Sequence, residues 1–406
     1  MILKLAWRNI WRNKRRSLIT MASIMLAVIF AVVLRSMQLG TYDKVIGNVV
    51  ESYTGYIQIH QKGYWDEPFV DNSMWVDSID FDALAASDDN IKGIHSRLEC
   101  FALSSYEERS QVVKLMGIDP ESEDRMMQIK SKVTKGNYIN KNSDGLMLGF
   151  QLADYLGVAP GDTLILLGQG YHGQSAAGKY PVDAILEFGS PLLNKGVIMM
   201  ALKNTQVFQS TPDMVSAGIV VLDKSAKMES TVKGLKSQID EDQFEIMNWE
   251  EMVPELKQTI QADSAGGMIM LFILYMVISF GIFGTVLMMN SERKYEFGVL
   301  LSVGMSRFRL IRMMVGEIVL MAITGSAMGA LIVYPISWYF HLYPIQLGGK
   351  AAEALEKYGF EAVLISSTDP MIAISHAGII LVITICISLY PVFSILKLKE
   401  VEAMRS

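Results

Sequence analysis

Residues 264–291 read SAGGMIMLFILYMVISFGIFGTVLMMNS and contain no charged side chain over 28 positions. A helix needs about 20 predominantly apolar residues to cross the hydrocarbon core of a bilayer. This stretch therefore predicts a transmembrane helix, which we place at 264–290. Three further apolar runs predict transmembrane helices at 17–40, 313–340 and 370–396. The chain is 51% hydrophobic and only 19% charged, whereas about a quarter of the residues in a soluble domain are charged.

The charges between these runs predict their orientation. Residues 1–16 carry six basic residues and no acid, and the 291–312 loop is also basic. Basic flanks remain in the cytoplasm, so this loop and both termini, including the 397–406 tail, are predicted to be cytoplasmic. Residues 41–263 hold 33 acidic against 19 basic residues and, with the 341–369 loop, are predicted to face outward. This distribution does not indicate nucleic-acid binding.

The first sixteen residues have the pattern of an amphipathic helix on the cytoplasmic membrane surface. Leu3, Trp7 and Ile10 share one helical face, and basic residues form a second stripe. Tryptophan favours the headgroup level and the basic stripe favours anionic lipid. The alternative is a basic flank that only fixes the topology. The apolar run that follows is long and is closed by Arg35, so we interpret it as an uncleaved anchor rather than a signal peptide.

Residues 41–263 are predicted to fold as a large mixed α/β domain between the first and second transmembrane helices. Residues rich in β-formers predict strands at 55–60, 111–116, 162–167 and 217–222. Helical patterns occupy 150–156, 225–239 and 250–263. A sub-lobe at 120–225 is a further possibility. The predicted fold class is an α-helical membrane protein with four transmembrane helices and an extracytoplasmic α/β domain.

The sequence contains no catalytic or metal-binding motif that we recognise. The histidines form no HExxH pattern, and there is no GxSxG nucleophile elbow. Residues 173–179 have the spacing of a phosphate-binding loop, but Tyr180 replaces its Ser or Thr and Pro181 prevents the helix that must follow. We therefore predict a glycine-rich hairpin loop there. Cys100 and Cys386 fall in the outer domain and a membrane span, so we expect neither a disulfide nor a metal site.

The 291–312 loop is the main candidate for a functional surface. Glu292, Arg293 and Glu296 are predicted to lie on a helical extension of the second span. Gly298 and Gly304 permit tight turns or close packing. A short helix around Ser306 would lie against a partner protein; the alternative is an ordinary basic loop.

Glu317 lies just inside the third predicted span, where an unpaired carboxylate is costly. We expect it to pair with Arg312 or Arg309, or to reach the cytoplasmic rim.

Several motifs resemble those of the FtsX-like, MacB-type permease family of ABC transporters. ERKYEFG at 292–298 followed by VGMS at 303–306 resembles the family signature. AWRNIWRNKRR at 6–16 and the segment from YPV at 390–392 to VEAMR at 401–405 are similar to the family's two ends. GIDP at 117–120 and LGFQLADYLGVAPGD at 148–162 resemble the lipoprotein-releasing, LolC/LolE-like branch.

The resemblance implies a function in the bacterial inner membrane. A non-catalytic permease of this kind couples ATP hydrolysis by a partner ABC ATPase dimer to the extraction of lipoproteins from the outer leaflet. It implies a second permease, identical or a paralogue, and a periplasmic carrier as further partners. No cofactor is expected on this chain, because the ATPase would bind ATP and magnesium. The residues implied to contact the ATPase are Glu292, Arg293, Glu296, Gly298, Gly304, Met305, Ser306 and Arg307.

Two other functions remain open. One is an efflux permease of the same architecture that moves peptides, lipids or amphipathic toxins. The other is a transmembrane signalling regulator of cell-wall hydrolases, as FtsX is. The length of the 41–263 region weighs against the regulator. The missing nucleophiles and metal ligands weigh against a membrane enzyme.

Overall fold

The structure is a computed structural model that describes residues 2–12, 14–350, 352 and 361–397. It divides into two compact units. The helical unit consists of Met1–Asp43, Thr259–Gln346 and Val363–Ser406, and the α/β unit consists of Lys44–Gln258 and Leu347–Ala362.

The four longest apolar runs of the sequence are helical. In chain order they are α1 (Ile2–Arg12), α2 (Lys14–Ile46), α3 (Phe81–Ala85), α4 (Pro120–Met127), α5 (Phe150–Leu156), α6 (Pro191–Gly196), α7 (Leu202–Gln209), α8 (Met228–Lys236), α9 (Trp249–Met252), α10 (Pro254–Glu292), α11 (Lys294–Ser302), α12 (Arg307–Leu342), α13 (Pro370–Ile387) and α14 (Leu389–Leu396). Among the described residues, four stretches are long and apolar enough to cross a membrane: α2, α10, α12 and the α13–α14 pair. This confirms the four predicted membrane helices. Helices α2, α10 and α12 extend beyond the predicted spans, because polar residues at their ends continue the same helix.

Small residues allow α2 and α12 to pack closely within the helical unit. A Cβ atom at Gly325 would lie 2.9 Å from the carbonyl oxygen of Met21, and one at Gly329 would lie 2.8 Å from that of Met25. Glycine is therefore required at both positions for this approach. Close approach of backbones is the main source of helix association in lipid, where apolar burial gives no driving force.

Asp263 ties α2 to α10 at one end of the bundle. Its carboxylate accepts hydrogen bonds from Gln38 at 3.1 Å and from the Tyr42 hydroxyl at 2.5 Å. Gln38 in turn accepts a hydrogen bond from Arg35 at 2.6 Å. The four side chains form one connected polar network.

The α/β unit contains a ten-stranded mixed sheet. The strands of the unit, in chain order, are β1 (Ile57–Gln61), β2 (Met74–Trp75), β3 (Ile91–Tyr106), β4 (Arg109–Ile118), β5 (Val133–Gly136), β6 (Leu146–Gly149), β7 (Thr163–Gln169), β8 (Ser175–Leu186), β9 (Val197–Ala201), β10 (Met214–Val215), β11 (Ala217–Leu222) and β12 (Phe244–Asn248). The short strands β2 and β10 pair with each other in a separate two-stranded sheet, and the other ten form the large sheet. In the helical unit, β13 (Ile345–Gln346) pairs with β14 (Val363–Leu364). The sheet order is β12-β1-β11-β3-β4-β9-β6-β8-β5, and β7 pairs with both β3 and β8.

This double pairing of β7 closes six strands into a ring. The ring runs β3-β4-β9-β6-β8-β7 and returns to β3. It is possible because β3 is 16 residues long: Ile91–Arg97 pairs with β11, whereas Ala102–Ser105 pairs with β7 along the same edge. Buried aliphatic side chains such as Leu98, Leu115 and Leu148 form one core cluster together.

The predicted elements of this unit correspond well to the observed ones. The four predicted strands are β1, β4, β7 and β11, and the helix predicted at 150–156 is α5. Gly173 lies in the β7–β8 hairpin connection with φ 75°, as predicted for a glycine-rich hairpin loop rather than a phosphate-binding loop. The ring takes strands from residues 91–201, so it begins upstream of the sub-lobe suggested at 120–225. The helix predicted at 250–263 is interrupted after α9, because Pro254 has no N–H and starts α10.

A buried cluster of charges links β3, β4 and α4. Arg97 donates to Glu123 at 2.6 Å and to Glu99 at 3.2 Å, and Lys114 pairs with Glu99 at 2.6 Å. Burial alone would raise the pKa of Glu99, but the charges of Lys114 and Arg97 and their hydrogen bonds lower it to about 2. Arg97 also donates to the carbonyl oxygen of Tyr53 at 2.5 Å. Each of the charges is therefore compensated inside the α/β unit.

Candidate functional site

The candidate site is the connection between α10 and α12, residues 293–306, which we call the coupling segment. Arg293 breaks the helix after Glu292, and α11 follows directly. Gly304, with φ 98°, makes the turn that ends α11, and Ser306 is extended before α12 begins. The short helix was predicted around Ser306, and this placement is wrong by several residues. The expected single extension of the second span is also wrong, because Glu292 ends α10 whereas Glu296 belongs to α11.

Arg293 forms a buried ion pair with Glu317 of α12. Its Nη1 donates to Glu317 Oε2 at 2.6 Å, and both side chains are almost fully buried. The predicted partners Arg312 and Arg309 are therefore wrong. Arg312 lies five positions before Glu317 on the same helix, so it points about 140° away around the helix axis. It lies instead over the Phe308 ring, at 4.3 Å from the ring centroid.

Three further polar contacts hold the coupling segment and its flanking residues. Glu296 of α11 accepts a hydrogen bond from Arg12 of α1 at 2.7 Å. Glu292 at the end of α10 pairs with Arg16 of α2. Arg307 at the start of α12 donates to the carbonyl oxygen of Leu396 in α14 at 2.5 Å, where the last helical carbonyls have no partner within the helix.

These contacts change the interpretation of the predicted site residues. Glu292, Arg293, Glu296 and Arg307 make contacts within the chain, and Gly298 is buried. Gly304 forms the turn, Met305 is half-buried, and Ser306 is exposed. The structure brings all eight residues together, but Arg293 and Gly298 have no surface to offer a partner.

The exposed surface of the segment is apolar, and the sequence prediction missed it. Tyr295, Val299, Val303 and Phe308 are exposed, Val303 at 82%. Tyr295, Val299 and Val303 recur every four positions, which is the spacing of one helical face. This periodicity was the signal that could have identified them.

A cavity of about 440 Å³ lies beside this apolar face. Its lining includes Asn9 and Arg12 of α1, Tyr295 and Val299 of α11, and Met313 of α12. The combination of a protruding apolar face and an adjacent open cavity suits a docked protein partner.

The α/β unit carries a second exposed apolar surface, on the outer face of the ring. Leu103 pairs in register with Val112 on one side and with Leu167 on the other. These three side chains, with the nearby Phe101 and Ile165, are exposed. The apolar face formed by these five residues is unusual for a soluble surface, where such side chains are normally scattered singly.

The described part of the chain contains neither a metal-binding cluster nor a disulfide. No group of three or more His, Cys, Asp or Glu side chains is placed there to hold a metal ion. Cys100 and Cys386 are both free, as expected. Burial raises the pKa of the Cys100 thiol to about 12, so this cysteine is not a reactive thiolate.

Comparison with known proteins finds a family match for part of the chain. Residues 268–399, which include α11, α12 and α13–α14, match the FtsX-like permease C-terminal family. This match confirms the resemblance found in the sequence for that part of the chain. A search of the curated proteins found no match.

Two solved structures are similar to the α/β unit. One is the periplasmic region of MacB from Actinobacillus actinomycetemcomitans, at 14% identity and a TM-score of 0.36, covering 54% of this chain and 97% of that chain. The other is the extracellular domain of the noncanonic ABC-type transporter YknZ from Gram-positive bacteria, at 16% identity and a TM-score of 0.34, covering 48% and 100%. Because both TM-scores are low, only the family match over residues 268–399 supports the resemblance. That match does not extend to the lipoprotein-releasing branch.

Proposed function

We propose that this chain is the membrane subunit of an ABC exporter that extracts lipoproteins from the outer leaflet of the bacterial inner membrane. A cytoplasmic ABC ATPase dimer binds the coupling segments of two permease subunits. ATP hydrolysis then moves the membrane helices and, through them, the outer domains.

The observation that carries this proposal is the set of contacts around the coupling segment. Within the segment, Glu296 pairs with Arg12 of α1 and Arg293 pairs with Glu317 of α12. At its two ends, Glu292 of α10 pairs with Arg16 of α2, and Arg307 of α12 donates to Leu396 of α14. The segment and the residues that flank it therefore contact α1, α2, α12 and α14. An ordinary loop between two membrane spans does not require such contacts, whereas a docking site for an ATPase requires them to pass its motion to the membrane helices.

The apolar face on the ring supports an amphipathic cargo. Acyl chains and amphipathic peptides both bury apolar area, which is favourable by about 25 cal/mol per Å². The same face is compatible with the second candidate, an efflux permease for peptides, lipids or amphipathic toxins. A signalling regulator without cargo would not require it.

The orientation is part of the proposal, with both termini and the coupling segment in the cytoplasm. The basic residues 1–16 and the acidic 41–263 region support it. To test it, cysteines are introduced singly at Ser175 and Ser302 after Cys386 has been replaced by serine. An impermeant thiol reagent added outside should label the first and not the second. The reverse pattern would overturn the orientation.

Affinity purification from native membranes, followed by mass spectrometry, tests the function. An ABC ATPase together with acylated lipoproteins is the expected result. An ATPase with an adaptor but no lipoprotein would support efflux instead, and the absence of any ATPase would refute the proposal. To examine the cargo surface, the double variant Leu103→Ser/Val112→Ser should retain the ATPase but recover less lipoprotein. Val207→Ser is the matched control, because Val207 is 73% exposed outside the apolar face.

A further inference from the structure

A second cavity of the helical unit lies where α1 gives way to α2. It has a volume of about 620 Å³, within the range of small-ligand sites. Its lining consists of four cationic side chains and two apolar ones: Arg12, Lys14, Arg15, Arg16, Ile19 and Met288.

The cationic part of the cavity is only half neutralised. Arg12 pairs with Glu296 and Arg16 pairs with Glu292. No carboxylate among the described residues forms an ion pair with Lys14 or Arg15, both of which are exposed. The cavity therefore attracts an anion.

The apolar part of the cavity indicates what kind of anion. Ile19 is one turn inside α2 and Met288 is one turn before the end of α10, and both are about half exposed. They lie on two of the membrane-crossing helices, at the level where the polar ends meet the apolar spans. A free inorganic anion would gain nothing from contact with these two apolar side chains. A lipid, by contrast, places its phosphate among the cations and its acyl chain along Ile19 and Met288.

We propose that this cavity binds an anionic phospholipid, with the phosphate held by Arg12, Lys14, Arg15 and Arg16 and the first part of an acyl chain against Ile19 and Met288. Because the lipid contacts these six lining residues, its binding differs from the general attraction of a basic surface to acidic membranes. Because the phosphate would share Arg12 and Arg16 with Glu296 and Glu292, lipid bound here would also loosen the contact of α1 with the coupling segment and the contact of α2 with the end of α10. That second consequence alone rests on the proposed function.

Binding is measured on the purified full chain in detergent, without any ATPase, by native mass spectrometry and by thermal unfolding. The probes are phosphatidylglycerol, phosphatidylcholine and inorganic phosphate. Phosphatidylglycerol should bind and raise the melting temperature, and the other two should not. Equal binding of phosphatidylcholine would overturn the charge argument, and an equal effect of inorganic phosphate would show a free-anion site and overturn the lipid argument.

Variants assign the binding to this cavity. Removal of two basic residues near a membrane surface should weaken anionic-lipid binding by about thirtyfold, so we expect this loss of phosphatidylglycerol affinity in Lys14→Gln/Arg15→Gln. Lys14→Arg/Arg15→Lys should bind as the unchanged chain does, which separates charge from folding. Lys294→Gln is the control, because Lys294 is exposed and basic but lies outside the cavity lining. Unchanged binding in the double glutamine variant would refute the site, whatever becomes of the proposed export function.

Discussion

Replacement of Arg293 by methionine would leave the Glu317 carboxylate buried without its cation. Glu317 is 0% exposed and Arg293 is 3% exposed. Phe297, four positions after Arg293, and Met314, three positions before Glu317, both belong to one buried apolar cluster. Removing one partner of a buried ion pair costs about 3–5 kcal/mol, because the remaining charge is uncompensated. We therefore expect Arg293→Met and Glu317→Leu each to destabilise the helical unit by that amount.

The double variant should behave differently. The buried pair is not fully satisfied, since Nε and Nη2 of Arg293 and Oε1 of Glu317 have no hydrogen-bond partner among the described residues. Apolar replacement of both members of such a pair is often neutral or stabilising by about 1–4 kcal/mol. Arg293→Met/Glu317→Leu should therefore recover most of the stability that either single variant loses.

The assay is reversible unfolding of the purified chain in mixed micelles, followed by tryptophan fluorescence, for both single variants, the double variant and Arg312→Met. Arg312 is the matched control, because it is an arginine of α12 that lies over Phe308 rather than in a buried ion pair. The control should change the free energy of unfolding by about 0.5 kcal/mol or less. If the two single losses simply add in the double variant, or if Arg293→Met costs no more than the control, the ion pair does not hold α11 on α12.

Three further predictions concern other parts of the chain. Val303→Asp should weaken ATPase binding by about thirtyfold, because an apolar contact worth about 2 kcal/mol is lost. The control Val207→Asp, in the α/β unit, should leave ATPase binding unchanged. Pull-down with the ATPase measures both variants. Gly329→Leu should destabilise the α2–α12 packing by about 1–3 kcal/mol. Gly378→Leu is the control and should not, because an added Cβ at Gly378 meets nothing within 4 Å. Unfolding in micelles compares the two variants. Glu99, whose pKa is lowered to about 2 from its usual 4.5, contributes stability that is complete above pH 4.5 and is lost as the pH falls towards 2. Glu99→Gln should therefore flatten the acid limb of a stability–pH profile, and an unchanged limb would contradict this assignment.

The membrane helices could be predicted because each rests on a local property, an uncharged run of sufficient length. The strands β1, β4, β7 and β11 could be predicted for the same reason, from short runs of β-branched and aliphatic residues. The closure of the ring could not, because nothing local in β7 shows that it pairs with both β3 and β8. The Arg293–Glu317 pair also could not be predicted from the sequence. It depends on the helix break after Glu292, which brings Arg293 over α12.

The contacts around the coupling segment differ in strength, and this difference predicts how the segment moves. The Arg12–Glu296 pair is exposed, at 57% and 48% of its two side chains, so it is screened by solvent and contributes about 1 kcal/mol or less. The Arg293–Glu317 pair is buried, and Phe297 and Leu301 of α11 pack in the same cluster as Leu310 of α12. We therefore expect α11 and α12 to move as one body, while the contact between α11 and α1 opens. Spin labels at Val299 and Met313 should keep their separation when the ATPase is cycled with ATP, and labels at Asn9 and Val299 should separate. A constant distance in both pairs would mean that the whole bundle moves rigidly, and a change in the first pair would contradict the role of the buried ion pair.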